Sequence, residues 1–386
     1  MSFDNLDLNG TSLMARLHGS PLPTAEEMGS PQQRRSTGRA IGLCAPIKCL
    51  AFAMLLGLPG IATAQFDQVY PLRGAPMNGE FVGSTPTEVT IKVQGTDRKI
   101  AVNEIRRLGF KEDPAELKQA RSRVASGDYQ AAMDELKKIN PASVTRPIIL
   151  LDLQFYLALC EGKLALSSGG DKGSAASAML AFVRKASKSH HFFAAAEMLG
   201  DLAVALGKYP EAIKYYGAIS AQAPWPEYKM HAVMLEARAL MAQKDFANAE
   251  KKFASLANAT ASTAETKRQQ LLAQVGVARC QAETQSPEAA IAAIQKLVAD
   301  NDESDAELFG RAYNALGACY LKANKPKEAL MAYLHVDVLF YAQPEIHAEA
   351  LYQLSKLWEQ VRKTDRANAA RNLLNDRYAG SRWASM

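Results

Sequence analysis

From Pro114 to the end of the chain, apolar residues recur at helical spacing, and a short phrase keeps returning between the helices. It reads Gly127-Asp128-Tyr129-x-x-Ala132, then Gly207-Lys208-Tyr209-x-x-Ala212, Lys244-Asp245-Phe246-x-x-Ala249 and Asn324-Lys325-Pro326-x-x-Ala329. Each copy follows an Ala-rich apolar helix pattern and precedes another. A phrase returning at a period of several tens of residues predicts stacked helical hairpins, each burying its apolar face against its neighbours.

Before the helices, over 67–108, the period changes to two. Val89, Ile91 and Val93 alternate with Thr90, Lys92 and Gln94, the mark of a half-buried strand. Gly95-Thr96-Asp97 supplies a turn, and Ile100, Val102 and Ile105 resume a looser alternation. Asn78-Gly79 predicts another turn, ahead of Glu80-Phe81-Val82-Gly83, and Val69-Tyr70-Pro71-Leu72 an edge strand. Four or five short strands predict a small curled sheet, similar to an SH3-like barrel. A sheet of this size is near the lower limit for independent stability. It is expected to cap the first helices or to pair with another chain.

The helical part, 114–386, resembles the tetratricopeptide repeat (TPR) family, whose unit is two antiparallel helices. Leu199-Gly200, Gly207-Lys208-Tyr209, Ala212, Tyr216 and Ile219 form one copy; Tyr313, Leu316-Gly317, Tyr320, Ala329, Tyr333 and Val336 form another. Weaker copies pair Ala120 with Ala132, Ala237 with Ala249, Ala278 with Ala290, and Ser355 with Ala367. A small residue in the first helix lets its partner approach closely, and the aromatic residue after the second-helix Ala is expected to fill the space between units. One more unit is expected between 140 and 189, with helices near 148–166 and 175–186 and an enlarged loop at 167–174. The expected fold is therefore mainly α: an α-solenoid of about seven TPR-like hairpins forming a superhelix, after a small β-barrel-like module. The predicted divisions are 1–64, preface and signal; 65–110, β module; 113–386, repeat array. The ending Tyr378-Ala379-Gly380-Ser381-Arg382-Trp383-Ala384 resembles repeat ends of exported bacterial members, including outer-membrane assembly lipoproteins and Tol–Pal-associated division coordinators. Ala379 replaces the usual proline there.

In the family, the first helix of each unit lines the concave wall, and the residue after the Gly/Ala position reaches into the groove. Those residues here are Arg121, Asp201, Arg238, Arg279, Ala318 and Lys356, with Asn314 and Lys322 on the same wall. The resemblance thus implies a protein-binding groove of Arg121, Arg238, Arg279, Asn314, Lys322 and Lys356, preferring an acidic or C-terminal carboxylate segment. The competing reading is that these are ordinary solvated charges. Glu197, Met234 and Val275 stand where the carboxylate-clamp subset needs polar or basic groups, so that mode is not implied.

Arg34, Arg35, Arg39 and Lys48, the apolar run from Cys49 to Leu58, and Ala62-Thr63-Ala64 follow the plan of a secretory signal. Cleavage after Ala64 leaves Gln65 first; an uncleaved signal serving as an anchor is the alternative. Met28 offers a later start that would give a preface of ordinary length.

Composition sharpens this picture by exclusion. With 48% hydrophobic and 22% charged residues the chain is globular, and a formal net charge of +5 is too mild to argue for nucleic acid. Cys160, Cys280 and Cys319 sit inside apolar helical patterns and predict buried thiols. No phosphate loop, dinucleotide fingerprint or His–Glu–His motif occurs. His190 and His191, if helical, point about 100° apart and are not expected to share a metal. No cofactor and no metal are expected. The reading is an exported, non-enzymatic scaffold or adaptor of the periplasm or cell envelope that binds a protein or peptide partner, acidic in character. A homodimer is compatible with it, and membrane contact would come only through an uncleaved signal. Two alternatives stand: an envelope-assembly or division factor, and an enzyme with a site between the β module and the repeats.

Overall fold

The computed structural model describes residues 66–386; the segment read as preface and signal, 1–64, lies outside the described residues. Five strands come first: β1 (Asp67–Pro71), β2 (Met77–Ser84), β3 (Glu88–Val93), β4 (Thr96–Ala101) and β5 (Ile105–Gly109). All neighbours pair antiparallel, in the order β4-β3-β2-β1-β5. The alternation of β3 is realised, with Val89 and Ile91 buried.

Two expectations change here. β1 is not an edge strand but lies between β2 and β5. Asn78-Gly79 is not a turn but lies inside β2. Gly79 serves close strand approach, because a Cβ there would stand 2.4 Å from the Lys92 carbonyl oxygen. The hydrogen-bonded ladder has β4 and β5 as its ends.

Fourteen α-helices follow among the described residues, in seven hairpins: α1 (Ala115–Ala125) with α2 (Tyr129–Leu136), α3 (Pro147–Ser168) with α4 (Lys172–Lys185), α5 (Phe192–Ala205) with α6 (Tyr209–Gln222), α7 (Pro226–Ala242) with α8 (Phe246–Ala257), α9 (Ala264–Thr284) with α10 (Pro287–Ala299), α11 (Ala306–Lys322) with α12 (Pro326–Leu339), and α13 (Pro344–Gln360) with α14 (Thr364–Tyr378). The recurrent phrase is the hinge of the hairpin. Its first residue takes positive φ in every copy: 78° at Gly127, 72° at Gly207, 68° at Lys244 and 57° at Asn324. The Asp of the phrase then caps the second helix, Asp128 accepting from Ala131 N and Asp245 from Asn248 N. The loop expected at 167–174 is mostly helix; only Gly169, Gly170 and Asp171 separate α3 from α4.

Small residues set the helix spacing. A Cβ on Gly200 would stand 2.2 Å from the Tyr216 ring, and one on Gly317 would stand 2.6 Å from Tyr333. These aromatics therefore lie on the glycine of their own hairpin, and Tyr216 also packs with Ala239 and Leu235 of the next one. Phe253 crosses to the next unit, meeting Gly276 of α9. The sheet shares one core with the first helices: Val69, Val89, Ile91, Ile100, Leu108 and Phe110 pack with Leu117, Ala120, Leu136, Ile149 and Leu153. It covers the apolar face that the first hairpin would otherwise leave open.

Consecutive odd-numbered helices touch one another from α1 through α13, and so form the inner wall of the array. The array also curls far enough for its end to reach its second hairpin. Gly380 N donates to Ser167 O at 3.3 Å, and Ala379 meets Gly169. A side chain on Gly380 would overlap the Leu166 carbonyl.

Candidate functional site

The odd-numbered helices bring their polar faces together on the inner wall. A small pocket of about 70 Å³ opens there, lined by Arg238 of α7, Arg279 of α9, Arg311 and Asn314 of α11, and Glu349 of α13, over a floor of Met241, Phe253, Leu272, Val275 and Gly276. Helical spacing explains the convergence. Glu307, Arg311 and Asn314 follow one face of α11, and Glu345 and Glu349 one face of α13.

Ion pairs run from helix to helix. Glu307 receives Arg268 at 2.8 Å, Arg311 at 2.9 Å and Arg238 at 3.5 Å. Arg311 also reaches Glu345 at 3.0 Å, and Arg268 reaches Asp305 at 2.6 Å. Arg279 and Lys322 share Glu283, at 2.8 and 2.5 Å. Arg238 is the least compensated: its guanidinium is pushed down to about 10 by burial and by neighbouring Arg311, against the pull of Glu345 and Glu307. Opposite behaviour marks Glu349, whose carboxyl is raised by burial. Asn314 donates Nδ2 to Ile346 O at 2.9 Å, while its buried Oδ1 has no hydrogen-bond partner among the described residues. Further along the wall, His231 stands 3.3 Å from Glu197, and Tyr216 donates to Asp201 at 2.9 Å. Burial and the nearby Glu197 raise the Asp201 carboxyl to about 7.

Of the six predicted groove residues, Arg238, Arg279 and Asn314 meet in the pocket. Lys322 is exposed beside it, held by Glu283. Lys356 is exposed outside the pocket, over the Tyr352 ring at 4.6 Å. Arg121 is displaced altogether. It is 5% exposed and buried where the sheet meets the array, with Asp113 and Asp152 on either side at 2.5 and 2.6 Å. Its two carboxylates, far apart in sequence, take it out of the groove. Nor is the wall simply basic, because Glu307, Glu345 and Glu349 interleave with the arginines. Reading one residue per helix missed them. They lie two or three turns before positions 318 and 356 on the same faces, and that periodicity was the available signal.

A second cluster corrects the reading of the histidine pair. His190 and His191 are not helical but form the turn before α5, so the 100° argument does not apply. Their ring centroids lie 3.9 Å apart, and together with Asp152 their ligating atoms fall within 4.8 Å of one another.

The architecture defines a class: a TPR-like solenoid of helical hairpins with a polar inner wall. The Tetratricopeptide repeat profile matches residues 162–224 and 197–266. Among curated proteins none matches the sequence. Among solved structures, the chain is similar to a tetratricopeptide repeat protein from Parabacteroides merdae ATCC 43184 at 15% identity, with 67% of this chain and 91% of that one covered and a TM-score of 0.48. It is similar to a Rap protein complexed with competence and sporulation factor at 13% identity, with 69% and 76% covered and a TM-score of 0.47. The apo form of the quorum sensor NprR from B. thuringiensis is similar at 10% identity, with 68% and 86% covered and a TM-score of 0.45.

Proposed function

We propose that this chain is a non-catalytic scaffold that holds an extended segment of a protein partner on its inner wall. The observation that carries the reading is the convergence of Arg238, Arg279, Arg311 and Asn314 from three helices on one concavity. Helical-repeat walls of this kind bind by many side chains spread over several units. The wall favours a segment bearing a carboxylate. Arg238 is half-buried with a single long ion pair among the described residues, and a carboxylate would supply the missing charge-assisted hydrogen bonds. The Asn314 and Glu349 side chains would meet backbone amides beside it.

The test uses fluorescent peptides ending in a free carboxylate, their amidated twins, and acidic peptides with amidated ends. Binding that weakens at least tenfold on combined Arg238→Glu and Arg279→Glu substitution supports the wall as the site. Unchanged binding dismisses it. A preference for free over amidated ends would identify a chain terminus as the anchor.

The same reading places the protein outside the cytoplasm, supported by the basic, apolar and small-residue order of 34–64. No helix among the described residues is long and apolar enough to cross a membrane. N-terminal sequencing of the protein from cells is expected to begin at Gln65; an intact 34–64 segment would favour an anchor.

A further inference from the structure

The buried cluster where the sheet, α1, α3 and the turn before α5 meet has more negative than positive charge built into it. Asp113 and Asp152 flank one guanidinium. Arg121 Nη1 and Nη2 donate to the two oxygens of Asp113 at 2.5 and 3.1 Å, and its Nε donates to Asp152 Oδ2 at 2.8 Å. Two carboxylates and one guanidinium leave an excess of one negative charge at side chains no more than 3% exposed. The remaining carboxylate oxygen, Asp152 Oδ1, is turned toward the histidines, 2.6 Å from His191 Nε2.

His190 brings a second ring nitrogen within 4.8 Å of the other two ligating atoms. Its Nδ1 is buried and has no hydrogen-bond partner among the described residues. That unpartnered nitrogen has a lone pair to offer an ion. A neutral imidazole is the form that ligates a metal. The surrounding contacts fix the donors as a metal site requires. The His191 ring lies flat on Phe155, centroids 3.7 Å apart and planes within 8°. Arg121 holds the far oxygen of Asp152, and Asp113 anchors Arg121 from behind.

We propose that Asp152, His190 and His191 bind one divalent transition-metal ion, with zinc the best match, as a clasp between the second and third hairpins. Two imidazoles and one carboxylate suit a borderline-soft ion, and they are poor ligands for calcium or magnesium, which take mostly oxygen. On binding, the ion takes the place of the hydrogen bond between Asp152 Oδ1 and His191 Nε2, and water completes a tetrahedral set. Arg121 stays on Asp152 Oδ2, its charge already met by Asp113, and does not oppose the ion alone.

The experiment titrates zinc into the chelator-treated full chain by calorimetry and reads thermal unfolding with and without the metal. One zinc per chain and a rise in Tm are expected, with neither from magnesium or calcium. His190→Gln is the deciding variant, because His190 Nδ1 has no hydrogen bond to lose. Its metal-free Tm should match the wild type, while its zinc affinity falls at least tenfold. Cobalt in place of zinc should give a visible spectrum of nitrogen and oxygen ligands. Absence of saturable zinc binding, undiminished affinity in His190→Gln, or a thiolate-to-cobalt band implicating cysteine would each overturn the assignment.

Discussion

At the scale of single residues, the hinge of each hairpin is a backbone requirement before it is a side-chain one. Gly127 and Lys244 occupy the same left-handed conformation, yet only glycine does so without strain. Nothing lies within 4 Å of a Cβ added at Gly127, so Gly127→Ala tests conformation alone. It should cost about 1 kcal/mol in urea unfolding. Lys244→Gly should gain from a few tenths to about 1 kcal/mol, the relief of strain partly offset by a freer unfolded chain. Asp201 gives a prediction in pH. Its carboxyl, raised from 3.8 to about 7 by burial and by Glu197, keeps its proton in the folded protein after the unfolded chain has released its own. Stability from this group is therefore present in acid and falls as pH rises from about 4 to 7. Wild type and Asp201→Asn, melted across that range, should differ by this slope; parallel curves would refute it.

Among elements, packing rests on glycine against aromatic and on one buried charge triad. Gly200→Ala forces the Tyr216 ring aside and should destabilise by about 1–3 kcal/mol, a figure checked by denaturant unfolding. Arg121→Met leaves Asp113 and Asp152 buried without their shared guanidinium and should cost about 3–5 kcal/mol. Adding Asp152→Asn should recover part of that loss. The sequence made the hairpins legible because their signal is local: Gly207, Ala212 and Tyr216 all lie within one unit. What stayed hidden depended on distant partners. Gly79 reads as a turn until Lys92 is seen behind it. Arg121 reads as a groove residue until Asp113 and Asp152 are seen on either side. His190 and His191 read as diverging until their turn is known. Half the candidate site was visible for the same reason, since Arg238, Arg279 and Asn314 follow the repeat. Arg311, Glu307 and Glu349 are given meaning only by neighbours on other helices.

For the molecule described here, 66–386, the main fact is that the array meets itself. Removing 379–386 deletes the Gly380–Ser167 hydrogen bond and the seat of Ala379 on Gly169. Small-angle scattering of the truncated chain should show a larger radius of gyration; an unchanged value would mean that curvature alone closes the array. The contact also bears on how such a protein comes apart. Linear arrays of repeats ordinarily fray from their terminal units, where each has one neighbour instead of two. Here the sheet covers one end and the second hairpin holds the other, so neither terminal unit is loose. Amide exchange in α14 should then be as slow as in the middle helices, and melting should be a single transition in place of stepwise peeling.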